Sequence, residues 1–148
     1  MTGLRSARPQ DLAQIARLEV EVFGANAWSK DAVLAENSAA LGASRHLLVS
    51  TDGGAVVGYA VLLTVGDVAD ILRIAVLPEH QRQGRATALL GALIDVARGQ
   101  GCRCALLEVA ADNSVALKFY EVHGFEEINR RGRYYAGGID ALVLRKSL

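Results

Sequence analysis

Three features of this sequence can carry chemistry: one carboxylate, one phenol and one glycine-containing turn. Glu108 is the charged residue of the otherwise apolar run Leu106-Leu107-Glu108-Val109-Ala110. That run reads as a strand whose end faces the side where a parallel sheet takes its ligand, so a proton acceptor is useful there. The same position also suits an ordinary solvated or salt-bridged glutamate. Tyr120 follows Phe119 on the shoulder of a stripe made by Val115, Phe119 and Val122, and its plain role is a buried aromatic. Asn113 reads as a helix cap. The turn is Gln81-Arg82-Gln83-Gly84-Arg85-Ala86. Its small residues let the backbone approach a ligand, and the first N–H groups of the following helix have no partner within it. With mobile charge added by Arg82 and Arg85, a diphosphate is the expected guest.

The elements around these residues must position them. Ile71, Leu72, Ile74, Ala75 and Val76 form an apolar strand closed by Leu77-Pro78, because proline cannot continue a ladder. After the turn, Ala86, Leu89, Leu90, Leu93, Ile94 and Ala97 make one helical stripe. Upstream, residues 4–7 predict a first strand. A helix then starts near Pro9-Gln10-Asp11 with Leu12, Ile15, Leu18 and Val22 on one face, and Ser29 caps a short helix to about Glu36. Residues 47–50 and 55–65 read as a hairpin around Gly53-Gly54, and Gly66-Asp67 is a second turn. Downstream come a strand over 102–109, a helix from Asn113 to Val122 with Gly124 as C-cap, and strands over 125–129 and 141–146. Hairpins give antiparallel neighbours, while the helical crossover over 86–97 demands a parallel pair, so a mixed α/β sheet flanked by helices follows.

Bulk properties narrow the function. The 148 residues fit a single domain spanning 1–148. Sixteen basic and sixteen acidic residues cancel, so no global field draws nucleic acid. No signal-peptide core and no run of about 20 apolar residues is present, which predicts a cytoplasmic protein with no membrane partner. Cys102 and Cys104 alternate within one strand-like segment and read as two buried thiols. No His or Cys spacing completes a metal site. Trp28, Tyr134 and Tyr135 fall on predicted loops and are candidates for a substrate wall, and Asp67 and Asp70 are candidates to receive a basic peptide.

The strand, the Gln81–Ala86 turn and the helix together resemble the acetyl-coenzyme A motif of the GNAT family of N-acetyltransferases, Gln/Arg-x-x-Gly-x-Gly/Ala, with Ala86 in place of the usual last glycine. Leu107-Glu108-Val109, Asn113, Phe119-Tyr120 and Gly124-Phe125 are similar to the signature of its RimI-type branch, which acetylates the N-terminal alanine of a small-subunit ribosomal protein. Ala27-Trp28-Ser29, Arg73-Ile74-Ala75-Val76, Arg130-Arg131, Tyr134-Tyr135 and Asp140-Ala141 extend the likeness over nearly the whole chain. One departure is Ala110, where that branch commonly carries arginine.

The resemblance implies a mostly antiparallel sheet with one splayed parallel pair holding the coenzyme. It implies Glu108 as base and Tyr120 as acid, and coenzyme contacts at Ile74, Ala75, Val76, Arg82, Gln83, Gly84, Arg85, Ala86, Thr87 and Asn113. It further implies acetyl-coenzyme A as cosubstrate without a metal, a ribosomal-protein N-terminal peptide as acceptor, and a monomer or weak homodimer. The residues alone leave open an acetyltransferase for a small amine or lysine side chain, and a non-catalytic acyl-coenzyme A sensing module.

Overall fold

A computed structural model describes residues 2–24, 44–135 and 137–148. Within them β2 (Ser44–Asp52) and β3 (Ala55–Val65) form a hairpin, because Gly53 and Gly54 take φ of 59° and 88°, a region that costs glycine little. With β1 (Thr2–Ser6), β4 (Val68–Val76), β5 (Cys104–Ala110), β6 (Glu126–Tyr135) and β7 (Ile139–Ser147) they make one seven-stranded sheet ordered β1-β2-β3-β4-β5-β7-β6. Every pairing is antiparallel except β4 with β5. The expected mixed, mostly antiparallel α/β sheet is therefore observed.

Among the described residues three α-helices cover the sheet: α1 (Leu12–Phe23), α2 (Arg85–Gly99) and α3 (Ser114–Val122). The stripe of α2 sets Leu89, Leu93 and Ala97, all at 0% exposure, against Ala60, Leu62, Ala69 and Ala105. Truncating either leucine to alanine should cost about 2–5 kcal/mol. On the opposite face Leu12, Ile15 and Leu18 of α1 pack on Val49, Tyr59 and Val61. No helix among the described residues is long and apolar enough to cross a membrane.

The site is opened by a defect in the parallel pair. Pairing of β4 with β5 is confined to Val68, Ala69 and Asp70 opposite Cys104, Ala105 and Leu106. Just beyond, the register of β3 on β4 shifts so that Leu72 has no Cα partner on β3, and such a bulge bends and twists its strand. Residues 71–76 and 107–110 thus border a gap instead of each other.

Several boundaries differ from the sequence reading. Cys102 lies in the loop before β5, so the two cysteines do not share a strand face; Cys102 is buried and Cys104 only half-buried. His123 takes the C-cap position of α3, with Gly124 following at φ 89°. β6 runs to Tyr135, which places Tyr134 and Tyr135 on a strand and not on a loop. Trp28 and the helix expected over 29–36 lie outside the described residues.

Candidate active site

The turn between β4 and α2 has the backbone of an anion cradle. Arg82 takes φ 61° and Gly84 φ 77°, and a left-handed non-glycine residue is a strain that tends to sit at ligand clamps. A Cβ on Gly84 would meet nothing within 4 Å. Glycine is needed there for its torsion and not for room among protein atoms. Helix α2 starts at Arg85 with no side-chain cap, which leaves its first N–H groups for a ligand. Gln81 Nε2 donates to the Val76 carbonyl at 2.9 Å and ties the turn to the end of β4.

The two arginines of the turn differ. Arg82 is exposed, whereas Arg85 is 8% exposed and spoken for: its Nη1 donates to Ser50 Oγ at 3.0 Å and its Nε to Gln83 Oε1 at 3.2 Å. The expectation of mobile charge from both is corrected, because burial among protein acceptors fixes the Arg85 guanidinium. Ala75 and Val76 are 3% and 5% exposed, so only their main chain can reach a ligand. Gln83 and Thr87 are exposed and Ala86 is half-buried.

Beyond the short pairing of β4 with β5 the gap opens into a cavity of about 500 Å³ lined by Ile74, Glu108, Asn113, Tyr120 and Tyr135 among others. A second cavity of about 430 Å³ lies between Asp70, Leu106, Tyr134 and Val143. Both are lined by Leu72, Arg73, Glu108 and Tyr135, so Glu108 stands where the two meet. Asp67 lines neither.

Each chemical side chain has neighbours that define it. Glu108 Oε1 is 3.4 Å from Arg131 Nη1, and the carboxylate keeps 30% exposure; it is salt-bridged and also open to the cavities. Tyr120 packs edge-on to Phe119 and Phe125, at ring distances of 5.2 and 5.5 Å. Burial pushes its hydroxyl up to about 12, so it stays protonated throughout the neutral range. Asn113 lines the first cavity while its Oδ1 accepts from Ala116 N at 3.1 Å, which realises the expected cap. Burial, helped by nearby Glu108, raises the Tyr135 phenol. Asp70 is half-buried and burial raises its carboxyl.

Sequence reasoning did not single out Arg73 as a site residue. It lines both cavities, its Nε and Nη2 donate to fully buried Glu19 at 3.1 and 2.8 Å, and it stacks 3.6 Å over the Phe23 ring. Tyr59 donates to the same carboxylate, and burial, then Glu19, raises its phenol well above the ordinary range. The network ties α1 to β3 and β4 at the cavity wall. Its signal was present: Glu19 falls four residues after Ile15 and one after Leu18, so a charge borders the buried stripe of α1 and needs a partner.

Comparison with known proteins agrees with this geometry. The acetyltransferase (GNAT) family model matches residues 12–125. Over 97 residues the chain is 39% identical to the ribosomal protein bS18-alanine N-acetyltransferase of Escherichia coli, covering 64% of this chain and 66% of that enzyme's own length. It is 33% identical over 142 residues to N-alpha-acetyltransferase RimI of Mycobacterium tuberculosis, covering 92% of this chain and 86% of the relative. The crystal structure of the ribosomal-protein-S18-alanine N-acetyltransferase from Escherichia coli superposes with a TM-score of 0.89 at 30% identity, covering 99% of this chain and 94% of the other. The splayed strands, the cradle at the start of α2 and these matches lead to one conclusion: the chain belongs to the GNAT family of acetyltransferases, whose fold works with acetyl-coenzyme A.

Proposed function

We propose that this protein transfers the acetyl group of acetyl-coenzyme A to the N-terminal α-amine of a peptide, with the alanine terminus of a small-subunit ribosomal protein as the first candidate. The observation that carries this reading is the place of Glu108 at the junction of two cavities. One cavity, bordered by Ile74, Asn113 and Tyr120, lies beside the stretch of β4 that leads toward the cradle and suits the coenzyme arm; the other, walled by Tyr134, Tyr135 and Asp70, suits the acceptor. A carboxylate bordering both fits direct transfer in a ternary complex. The names of the Escherichia coli and Mycobacterium tuberculosis relatives support the α-amine.

The coenzyme supplies an acetyl thioester. Main-chain N–H groups from Ile74 to Val76 orient it, and those at the start of α2, with the Arg82 side chain, hold its diphosphate. Glu108 takes a proton from the acceptor ammonium, directly or through one water, which frees the lone pair that forms the new C–N bond. As the C–S bond breaks, the Tyr120 hydroxyl gives its proton to the sulfur, and the second proton that the nitrogen sheds on becoming an amide restores the Tyr120 hydroxyl through solvent. Backbone donors near Val76 stabilise the charge that builds on the carbonyl oxygen. Neither cysteine enters, since burial raises the Cys102 thiol and a thiolate is not needed for direct transfer. Basicity favours an α-amine: with a pKa of ~7.8 roughly a tenth is neutral at pH 7, against less than a thousandth for a lysine at ~10.4.

The test is incubation with acetyl-coenzyme A and a panel of N-terminal peptides, internal-lysine peptides and polyamines, with the product located by mass spectrometry. Acetylation confined to peptide N-termini is expected. Preferred turnover of polyamines or lysines moves the protein to the small-amine or lysine class, and coenzyme binding without any product makes it a sensing module.

A further inference from the structure

The anion cradle is held from behind by the β2–β3 hairpin. Arg85 Nη1 donates to Ser50 Oγ at 3.0 Å and to the Thr51 carbonyl at 3.3 Å, and its Nη2 lies 3.6 Å from Asp52 Oδ2. The same Asp52 oxygen is 3.7 Å from His80 Nδ1 on the other side of the turn. Residues flanking the cradle at both ends therefore converge on one carboxylate at the end of β2. The acceptors are gathered by an irregularity: the register of β2 on β3 shifts between Ser50 and Thr51.

A guanidinium at 8% exposure is costly unless it is paired, and here Nη1 and Nε donate to protein oxygens while Nη2 faces the Asp52 carboxylate. Gly84 offers no capping side chain to α2, so the start of the helix is not fixed by its own cap. Backbone donors bind an anion well only when their positions are fixed beforehand. We propose that Arg85 is a positioning residue for the coenzyme: it clamps the start of α2 to the end of β2, sets where the N–H groups of residues 84–87 stand, and leaves Arg82 as the turn's arginine whose side-chain charge meets the diphosphate. This rests on the coenzyme reading of the turn.

The experiment is calorimetric titration of coenzyme A into the wild-type chain, Arg85→Leu, Ser50→Ala, the double variant and Arg82→Leu, at two salt concentrations, with thermal unfolding to confirm that each is folded. Arg85→Leu should weaken binding by about tenfold and Ser50→Ala by about threefold, with the double variant no weaker than Arg85→Leu, because both cut one clamp. The salt dependence of binding should be kept in Arg85→Leu and reduced in Arg82→Leu, which has lost an exposed charge facing the ligand. Additive losses, a salt dependence reduced by Arg85→Leu, or wild-type affinity in a folded Arg85→Leu would overturn the clamp. Should Arg85→Leu not fold, wild-type affinity in Ser50→Ala overturns it equally. A wild-type chain that does not bind coenzyme A overturns the coenzyme reading as well, an outcome distinct from a clamp variant binding normally.

Discussion

The anion cradle and the cavity between Asp70, Leu106, Tyr134 and Val143 are built in opposite ways. The cradle side comes from consecutive residues: the end of β4, the turn 81–84 and the first turn of α2, and what it offers is mostly main chain. The other side is assembled from side chains far apart in sequence, with Asp70 and Arg73 on β4, Leu106 and Glu108 on β5, Tyr134 and Tyr135 on β6 and Val143 on β7. Main-chain recognition depends on torsion angles and tolerates most side-chain changes, whereas a wall of side chains changes with every substitution. Coenzyme binding should therefore yield only to changes that alter the backbone or its charge, and acceptor choice should yield to single side chains.

The sharpest way to break the cradle side is Gly84→Glu. It puts a side chain on a residue at φ 77° and a negative charge beside the diphosphate, so coenzyme A binding should be lost in calorimetry; retained affinity would remove the turn from the site. Next in size, Tyr120→Phe should keep the ring contacts with Phe119 and Phe125 and the coenzyme affinity while lowering kcat by about 10². Wild-type turnover would make Tyr120 a core aromatic only. On the acceptor side, Tyr134→Ala, which touches the second cavity and not the first, should raise the acceptor KM by about tenfold and move the acetyl-coenzyme A KM less, which steady-state kinetics can separate. The smallest effect concerns alkaline stability. The Tyr120 hydroxyl is raised to about 12 in the fold, so above about pH 10 the unfolded chain binds fewer protons and stability falls as pH rises toward 12. Tyr59, raised still further, steepens that fall. Denaturant unfolding followed against pH should show a shallower alkaline decline in Tyr120→Phe.

The same contrast decides what could be read from the sequence. The strand, turn and α2 were legible because an apolar run and a 3.6-residue stripe flank the turn directly, and Asn113 capped α3 as its type demands. β6 was underestimated because it is an edge strand exposed along nearly its whole length, with Arg130, Arg131 and Arg133 in place of an apolar alternation. Edges are often charged in this way to discourage pairing with other chains, and the charge hides the strand signal. Burial of Arg85 was not legible either, because Ser50, Thr51 and Asp52 lie more than thirty residues upstream and only the fold brings them to it. Ala110 lines the first cavity, in the position where the RimI-type pattern commonly has arginine, and nothing in the structure explains that departure.

In the proposed mechanism Glu108 removes the acceptor's proton, and the pH dependence of Glu108→Gln distinguishes that role from any other. Glutamine keeps the shape but cannot take a proton near neutrality, so coenzyme binding should stay nearly intact while kcat/KM falls by about 10² or more at pH 7. The deficit should shrink as pH rises past the acceptor's own pKa of ~7.8, where the amine is already neutral. A deficit equal at every pH would make Glu108 a positioning group, and an undiminished kcat/KM at pH 7 would leave it as the salt-bridged partner of Arg131 and contradict the mechanism.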